Sequence, residues 1–258
     1  MLQRFTDRIV LVTGGAGGLG RAIARRFHAE GAAVAVLDRD APRALAVAGE
    51  LGDRAMAVCA DVTDVDGVER AVDQVLEGLG GLDVVVANAG IAGRVAAVHE
   101  LDPAAFDDVV AINLRGVFLT VRAGLRAMIA RSTRGTIVTM GSSMVGWDVL
   151  AGSVGYVASK HAVVGLTRAA ALDAAAHGIR SFGGGRIAVQ AGHLRTAARR
   201  QDRRLADATA GAGHQRHPPG ETGPELDHHV LPQRRAGRAW PALTALDRAN
   251  QSHTHTNE

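Results

Sequence analysis

The sequence predicts an α/β fold, a doubly wound parallel sheet, and three observations carry that prediction. Short β-branched runs alternate with longer helical stretches from the N-terminus to about residue 180. A glycine-rich turn follows the first of those runs directly and opens the first helical stretch. The 258 residues suffice for one large α/β domain or two small ones, and 47% hydrophobic against 21% charged residues is a globular composition. Collagen-like and wholly disordered chains are excluded.

Five strands are expected, at Arg8 to Thr13, Ala33 to Asp38, Ala55 to Ala60, Asp83 to Ala87 and Thr136 to Met140. Helices are expected between them at 18–30, 41–51, 65–79, 103–131 and 153–177. Asp102-Pro103 reads as an N-cap followed by the first helical position, and Gly178 as a stop.

The alternation ends after Arg180, where the chain reads Ser181-Phe182-Gly183-Gly184-Gly185. Beyond it only Arg186 to Gln190 is weakly strand-like, Arg195 to Leu205 could form a basic helix, and 214–224 and 232–241 read as loops. Charge divides at the same place. Residues 1–180 carry 18 basic and 19 acidic side chains, residues 181–258 carry 11 and 7, so the net +3 comes from the second segment. Two domains of unequal character are therefore expected: 1–180 as the folded unit, and 181–258 as an Arg/His/Gly/Pro-rich tail too poor in valine, isoleucine, leucine and phenylalanine to build a core.

The turn Thr13-Gly14-Gly15-Ala16-Gly17-Gly18-Leu19-Gly20 sits between strand and helix. Its glycines let the backbone approach a pyrophosphate, and free N–H groups at the helix N-terminus meet the charge. The site expected here is that of a Rossmann-type dinucleotide fold. Asp38 ends the second strand, where a carboxylate accepts from both ribose hydroxyls and repels a 2′-phosphate, so NAD is expected rather than NADP. Arg39 beside it keeps a phosphate partner available, and Asp38 could also be a plain solvated carboxylate.

Tyr156 is the only tyrosine and Lys160 the only lysine, and they stand four apart. On a helix that spacing puts both on one face, where an ammonium lowers a phenol's pKa and suits it to general acid–base work. With Thr13-Gly14-x-x-x-Gly18-x-Gly20, Asp61-Val62 after the third strand, Asn88-Ala89-Gly90 after the fourth, Asn113, Ser143 and Tyr156-x-x-x-Lys160, residues 1–180 resemble the classical short-chain dehydrogenase/reductase family.

That resemblance implies an NAD-dependent oxidoreductase interconverting a secondary alcohol and a ketone. It implies that Tyr156 exchanges a proton with the substrate oxygen, that Ser143 holds that oxygen, and that Lys160 binds the nicotinamide ribose and depresses the tyrosine pKa. Asn113 would help hold a water relaying protons from Lys160, Asp61 and Val62 would flank the adenine, and Asn88 to Gly90 would support the sheet edge. Alternatives stay open: Ser142 in place of Ser143, Asn113 as a helix cap or kink, Asp61 as a helix cap. Residues 144–155, with Trp147 among them, and Ile91 to Val95 are expected near the substrate. The resemblance also implies pairing through the helices at 103–131 and 153–177, as a homodimer or homotetramer.

Beyond Arg180 the family continues with a sixth strand, a lid, a helix and a seventh strand, none of them evident in this sequence. The fifth strand is then expected to be an open edge. The tail composition is that of GC-rich DNA translated out of frame, or of a natural disordered extension. With the substrate part missing, a catalytically impaired nucleotide-binding or interaction protein is the alternative function.

Other classes find little support. Arg195, Arg199, Arg200, Arg203 and Arg204 lack interleaved aromatics, so no nucleic-acid partner is expected. His228-His229 and His253-x-His255 lack a suitably spaced acidic partner, so no metal is expected. Cys59, the single cysteine, permits no internal disulfide and is expected as buried filler. No apolar run reaches the roughly 20 residues of a membrane span, and the first apolar stretch is too short for a signal peptide. A cytoplasmic protein with no membrane partner is expected.

Overall fold

The computed structural model describes residues 3–145 and 149–184. The elements run β1 (Ile9–Thr13), α1 (Gly18–Ala29), β2 (Ala33–Asp38), α2 (Ala41–Leu51), β3 (Ala55–Cys59), α3 (Val65–Leu79), β4 (Val84–Ala87), α4 (Pro103–Val110), α5 (Val117–Ala130), β5 (Thr136–Met140), α6 (Val154–Ala175) and β6 (Arg180–Gly184). All strand pairs are parallel, in the order β3-β2-β1-β4-β5-β6. Chain direction across the sheet reverses between β1 and β4, and the crevice outside the C-terminal strand ends at that reversal is where such sheets bind ligands.

Both faces of the sheet are covered, as a parallel sheet requires. Val10, Val12, Val34 and Val36 point to the α1 and α2 side, packing on Ala24, Ala44 and Val47. Leu11, Ala35, Leu37 and Val85 point the other way, against Val68, Val72 and Val75 of α3, Val121 of α5 and Val163 of α6.

Helix starts divide into two kinds. Asp40, Asp64 and Asp102 cap α2, α3 and α4, their carboxylates accepting from the backbone N–H of Arg43, Asp66 and Ala104. By contrast, α1 has Gly17 as its N-cap, which offers no side-chain cap, so its first N–H groups are left for another acceptor.

Two expectations fail here. A sixth strand is present: Arg180–Gly184 pairs with β5 from Thr136↔Arg180 to Met140↔Gly184. The fifth strand is therefore not an open edge. Only Phe182 of Arg180-Ser-Phe-Gly-Gly is a large apolar residue, but backbone pairing with β5 forms the ladder regardless of side chains, and Ile179 buries just before it. Cys59 is exposed rather than buried, because it occupies the outward position at the end of edge strand β3.

The helix expected over 103–131 is continuous but not uniform. Between α4 and α5 the segment Ala111–Gly116 widens to a π-helix around Asn113. The expected strand at 186–190, the helix at 195–205, the loops at 214–224 and 232–241, the arginine cluster, the tail histidines and Trp147 lie outside the described residues.

Candidate active site

A cavity of about 720 Å³ opens at the C-terminal ends of β1, β2, β4 and β5. Thr13, the last residue of β1, and Asn88, the first after β4, hold its floor at the reversal. The Thr13 Oγ1 accepts from the N–H of Asn88 at 3.0 Å and of Ala89 at 3.1 Å, while Asn88 Nδ2 donates to the carbonyls of Thr13 at 3.0 Å and Gly14 at 3.3 Å. The glycine turn is thus stitched to the loop after β4.

Two glycines are obligatory there. Gly14 adopts φ +62°, and a Cβ on it would stand 2.9 Å from Ala89 Cα. A Cβ on Gly20 would stand 2.0 Å from the Gly14 carbonyl oxygen. Gly17 and Gly18, on the open side, would meet nothing within 4 Å. That empty approach, together with the uncapped start of α1, fits the pyrophosphate of a dinucleotide.

Asp38 uses both oxygens locally. One accepts from Ala16 N–H at 3.1 Å and so fixes the glycine turn, and the other accepts from Asp40 N–H at 3.1 Å. Asp61 turns one oxygen to the N–H and hydroxyl of Thr63, both at 2.8 Å, and these bonds hold its carboxyl below the usual carboxylate range. Asp64, not Asp61, caps α3.

At the other end, α6 carries Tyr156 and Lys160 on one face. Lys160 is 5% exposed, its Nζ donates to the Met140 carbonyl at 2.9 Å, and the same Nζ lies 5.6 Å from the centre of the Tyr156 ring. Burial lowers the lysine pKa. Asn113 is fully buried behind them. Its Oδ1 accepts from Ile91 N–H at 2.8 Å, and its Nδ2 donates to Ile91 O at 2.9 Å and to Ser159 Oγ at 3.3 Å. Ser159 Oγ in turn donates to the Tyr156 carbonyl at 2.8 Å. The π-helical widening therefore sits where one side chain ties the loop after β4 to the first turns of α6.

The residues expected to bind cofactor all line this cavity except Thr13 and Gly20, which lie beneath it. Ile91, Ala92, Val95, Met144, Leu150 and Ser153 line it as well, matching the stretches expected near substrate. Ser143 does not: it is exposed and absent from the lining, and Ser142 Oγ accepts from the Met144 N–H. Ser153 falls in the stretch expected near the substrate but was given no role of its own. It precedes α6 as N-cap, makes no capping bond with its side chain, is 8% exposed, and lines the cavity one turn before Tyr156. Its signal was present in the sequence as a serine three before the tyrosine.

Comparison with known proteins decides the family. The model described as short chain dehydrogenase matches residues 8–204, reaching past Arg180. The chain belongs to the short-chain dehydrogenase family. This short-chain dehydrogenase is 45% identical over 185 residues to cis-4-hydroxycyclohexanecarboxylate dehydrogenase of Sinomonas cyclohexanicum, covering 70% of this chain and 72% of that protein. It is 40% identical over 182 residues to levodione reductase of Leifsonia aquatica, covering 69% and 67%.

Among solved structures, a short-chain type dehydrogenase/reductase from Mycobacterium marinum superposes with a TM-score of 0.67 at 35% identity, covering 70% of this chain and 73% of that one. An NAD+-bound xylitol dehydrogenase gives 0.67 at 34%, covering 70% and 71%. The protein is accordingly an oxidoreductase of the type that acts on CH–OH groups, in a family that binds NAD(P). Among the described residues, no helix is long and apolar enough to cross a membrane, and no group of three or more His, Cys, Asp or Glu side chains could hold a metal.

Proposed function

We propose that this short-chain dehydrogenase interconverts a secondary alcohol and a ketone with NAD, using Tyr156 as general acid and base. The observation that carries this reading is Tyr156 and Lys160 together at one end of a cavity whose other end is the open glycine cradle. When bound, the nicotinamide supplies or takes up the hydride. Gly14, Gly18, Leu19 and the start of α1 hold the pyrophosphate, Asp38 the adenosine ribose, and Asp61 and Val62 the adenine, with Asn88, Ala89 and Gly90 under the nicotinamide side.

Tyr156 exchanges the proton with the substrate oxygen. Lys160, buried and with lowered pKa, readily passes on a proton. Asn113 positions the α6 residues through Ser159 and braces Ile91 at the cavity wall. NAD is preferred to NADP because Asp38 presents a carboxylate at the end of β2 where a 2′-phosphate would come. Ser143 keeps its implied place as the hydroxyl that holds the substrate oxygen, reached by movement of its loop.

The protein self-associates as a homodimer or homotetramer through α5 and α6, which leave Phe118, Ile129 and Leu172 exposed, and it works in the cytoplasm. Residues 1–180, extended by β6 to Gly184, form the cofactor and catalytic unit. Residues beyond it form an atypical tail, and translating the same DNA in its other two frames tests the out-of-frame origin: a strand with a Pro-Gly turn supports it, and its absence from both frames refutes it.

The exposed position of Ser143 favours a second reading, a catalytically impaired nucleotide-binding protein. Alcohol-dependent formation of reduced cofactor by the purified full chain separates the two. Turnover with NAD over a panel of secondary alcohols supports the oxidoreductase, and NAD binding without turnover on any of them supports the impaired protein.

A further inference from the structure

Two apolar loops meet at the substrate end of the cavity. Val95 and Val98, in the loop after β4, are 67% and 73% exposed, and Val149 and Leu150, in the loop before α6, are 66% and 55% exposed. Ala96 N–H donates to the Gly152 carbonyl at 3.0 Å and so joins the two loops. A Cβ on Gly152 would stand 2.8 Å from Val95 Cγ1, so that glycine also lets the loops close on each other. One exposed aliphatic is ordinary; four on two bonded loops beside a cavity mark a surface that something apolar covers.

Inside, Ile91, Ala92, Val95, Met144 and Leu150 continue the same surface. The polar groups of this end are nearly all committed. Asn88 Nδ2 serves Thr13 and Gly14, and Lys160 Nζ serves Met140. The remaining ionisable lining residues, Asp38, Arg39 and Asp61, lie at the ends of β2 and β3. Among the described lining residues two hydroxyls remain, those of Ser153 and Tyr156, which suit one neutral oxygen.

Resting on the oxidoreductase reading above, we propose that the substrate is a neutral, predominantly apolar secondary alcohol or ketone held between Val95 and Leu150, with no charged group on the part that enters. A carboxylate or phosphate there would lose its hydration among aliphatic side chains, with no free cation among the described lining residues of this end to meet it, Arg94 of the same loop being exposed and outside the lining. Asp148, the one ionisable residue at 146–148, lies outside the described residues.

The test uses the full chain saturated with NAD. Initial rates are compared for cyclohexanol, its ring-carboxylate and ring-ammonium derivatives, and open-chain secondary alcohols with the same three kinds of end group. The proposal expects kcat/KM for the neutral member of each series to exceed both charged members by about tenfold or more. Leu150→Arg, at an exposed position, should raise the carboxylates relative to the neutral alcohols by about tenfold, with the melting temperature unchanged. Equal or better turnover of a carboxylate or an ammonium alcohol by the unaltered chain overturns the substrate class alone. No turnover anywhere on the panel, by a chain whose melting temperature NAD raises, overturns the oxidoreductase reading on which the proposal stands.

Discussion

The two ends of the cavity are built on opposite plans. At the β1–β2 end the cavity wall is largely backbone, and side chains such as Thr13, Asn88 and Asp38 hold it in place. At the β4–β5 end the side chains are the surface, carried on two loops that touch each other through Ala96 and Gly152. The first plan suits a ligand that never changes, because a misplaced amide cannot be repaired by a rotamer. The second suits a ligand that differs between relatives, since exposed Val95 and Leu150 can be exchanged without disturbing the core.

Tyr156→Phe should divide the ends most sharply. Removing the phenolic oxygen should cut turnover by about 10²- to 10⁴-fold while the affinity for NAD, measured by calorimetry, stays within about twofold of the parent. A comparable loss of NAD affinity would mean that the ends are not separable. Gly20→Ala reverses the pattern. Its Cβ would drive into the Gly14 carbonyl at 2.0 Å, so NAD affinity should fall by about tenfold or more.

Asn113→Ala tests the tie between the ends. It leaves the Ile91 N–H and carbonyl without their partner, which should cost about 1–3 kcal/mol of stability by denaturant unfolding. It should also lower kcat more than it raises KM for NAD. Ser159→Ala should reproduce the kcat effect weakly, by about twofold to fivefold, because it removes the bond to the Tyr156 carbonyl and the one accepted from Asn113 but leaves both Asn113–Ile91 bonds in place.

The smallest effect expected lies remote from both ends. Hydrogen bonds from Arg4 and then Arg26 hold Glu30 down from 4.5 to about 2, and Arg21 and then Arg25 do the same to Glu50. The folded carboxyls titrate lower than the unfolded ones, so their contribution is fully present above pH 4.5 and is lost as the pH falls toward 2. Melting temperature should therefore decline across that window, and Glu30→Gln should flatten the decline. An unchanged acid limb in Glu30→Gln would show that the pair does not govern it.

What could be read from the sequence follows the same division. The glycine turn, Asp38 and Asn88 were legible because backbone geometry demands particular residues at fixed offsets, and the Tyr156–Lys160 pair was legible because helical spacing is rigid. Loop-borne features were not. Ser143 carries the expected residue type, but its loop leaves it exposed, whereas Ser153 lines the cavity from a position that reads as a helix start within the stretch expected near the substrate. The sixth strand escaped because its pairing with β5 uses backbone groups that every residue has, and two of its five residues are glycine. Cys59 was misjudged because residue type favours burial, while its place at the end of an edge strand does not.

The most direct test of the central claim is the melting curve of the full chain alone, with saturating NAD and with saturating NADP. Ligand at 100 times its dissociation constant adds about 2.7 kcal/mol to a state that binds it. A single cooperative transition, raised by NAD and raised less by NADP, is the predicted result. A transition that NAD leaves in place would contradict the reading of the glycine cradle, and with it the function assigned to the cavity.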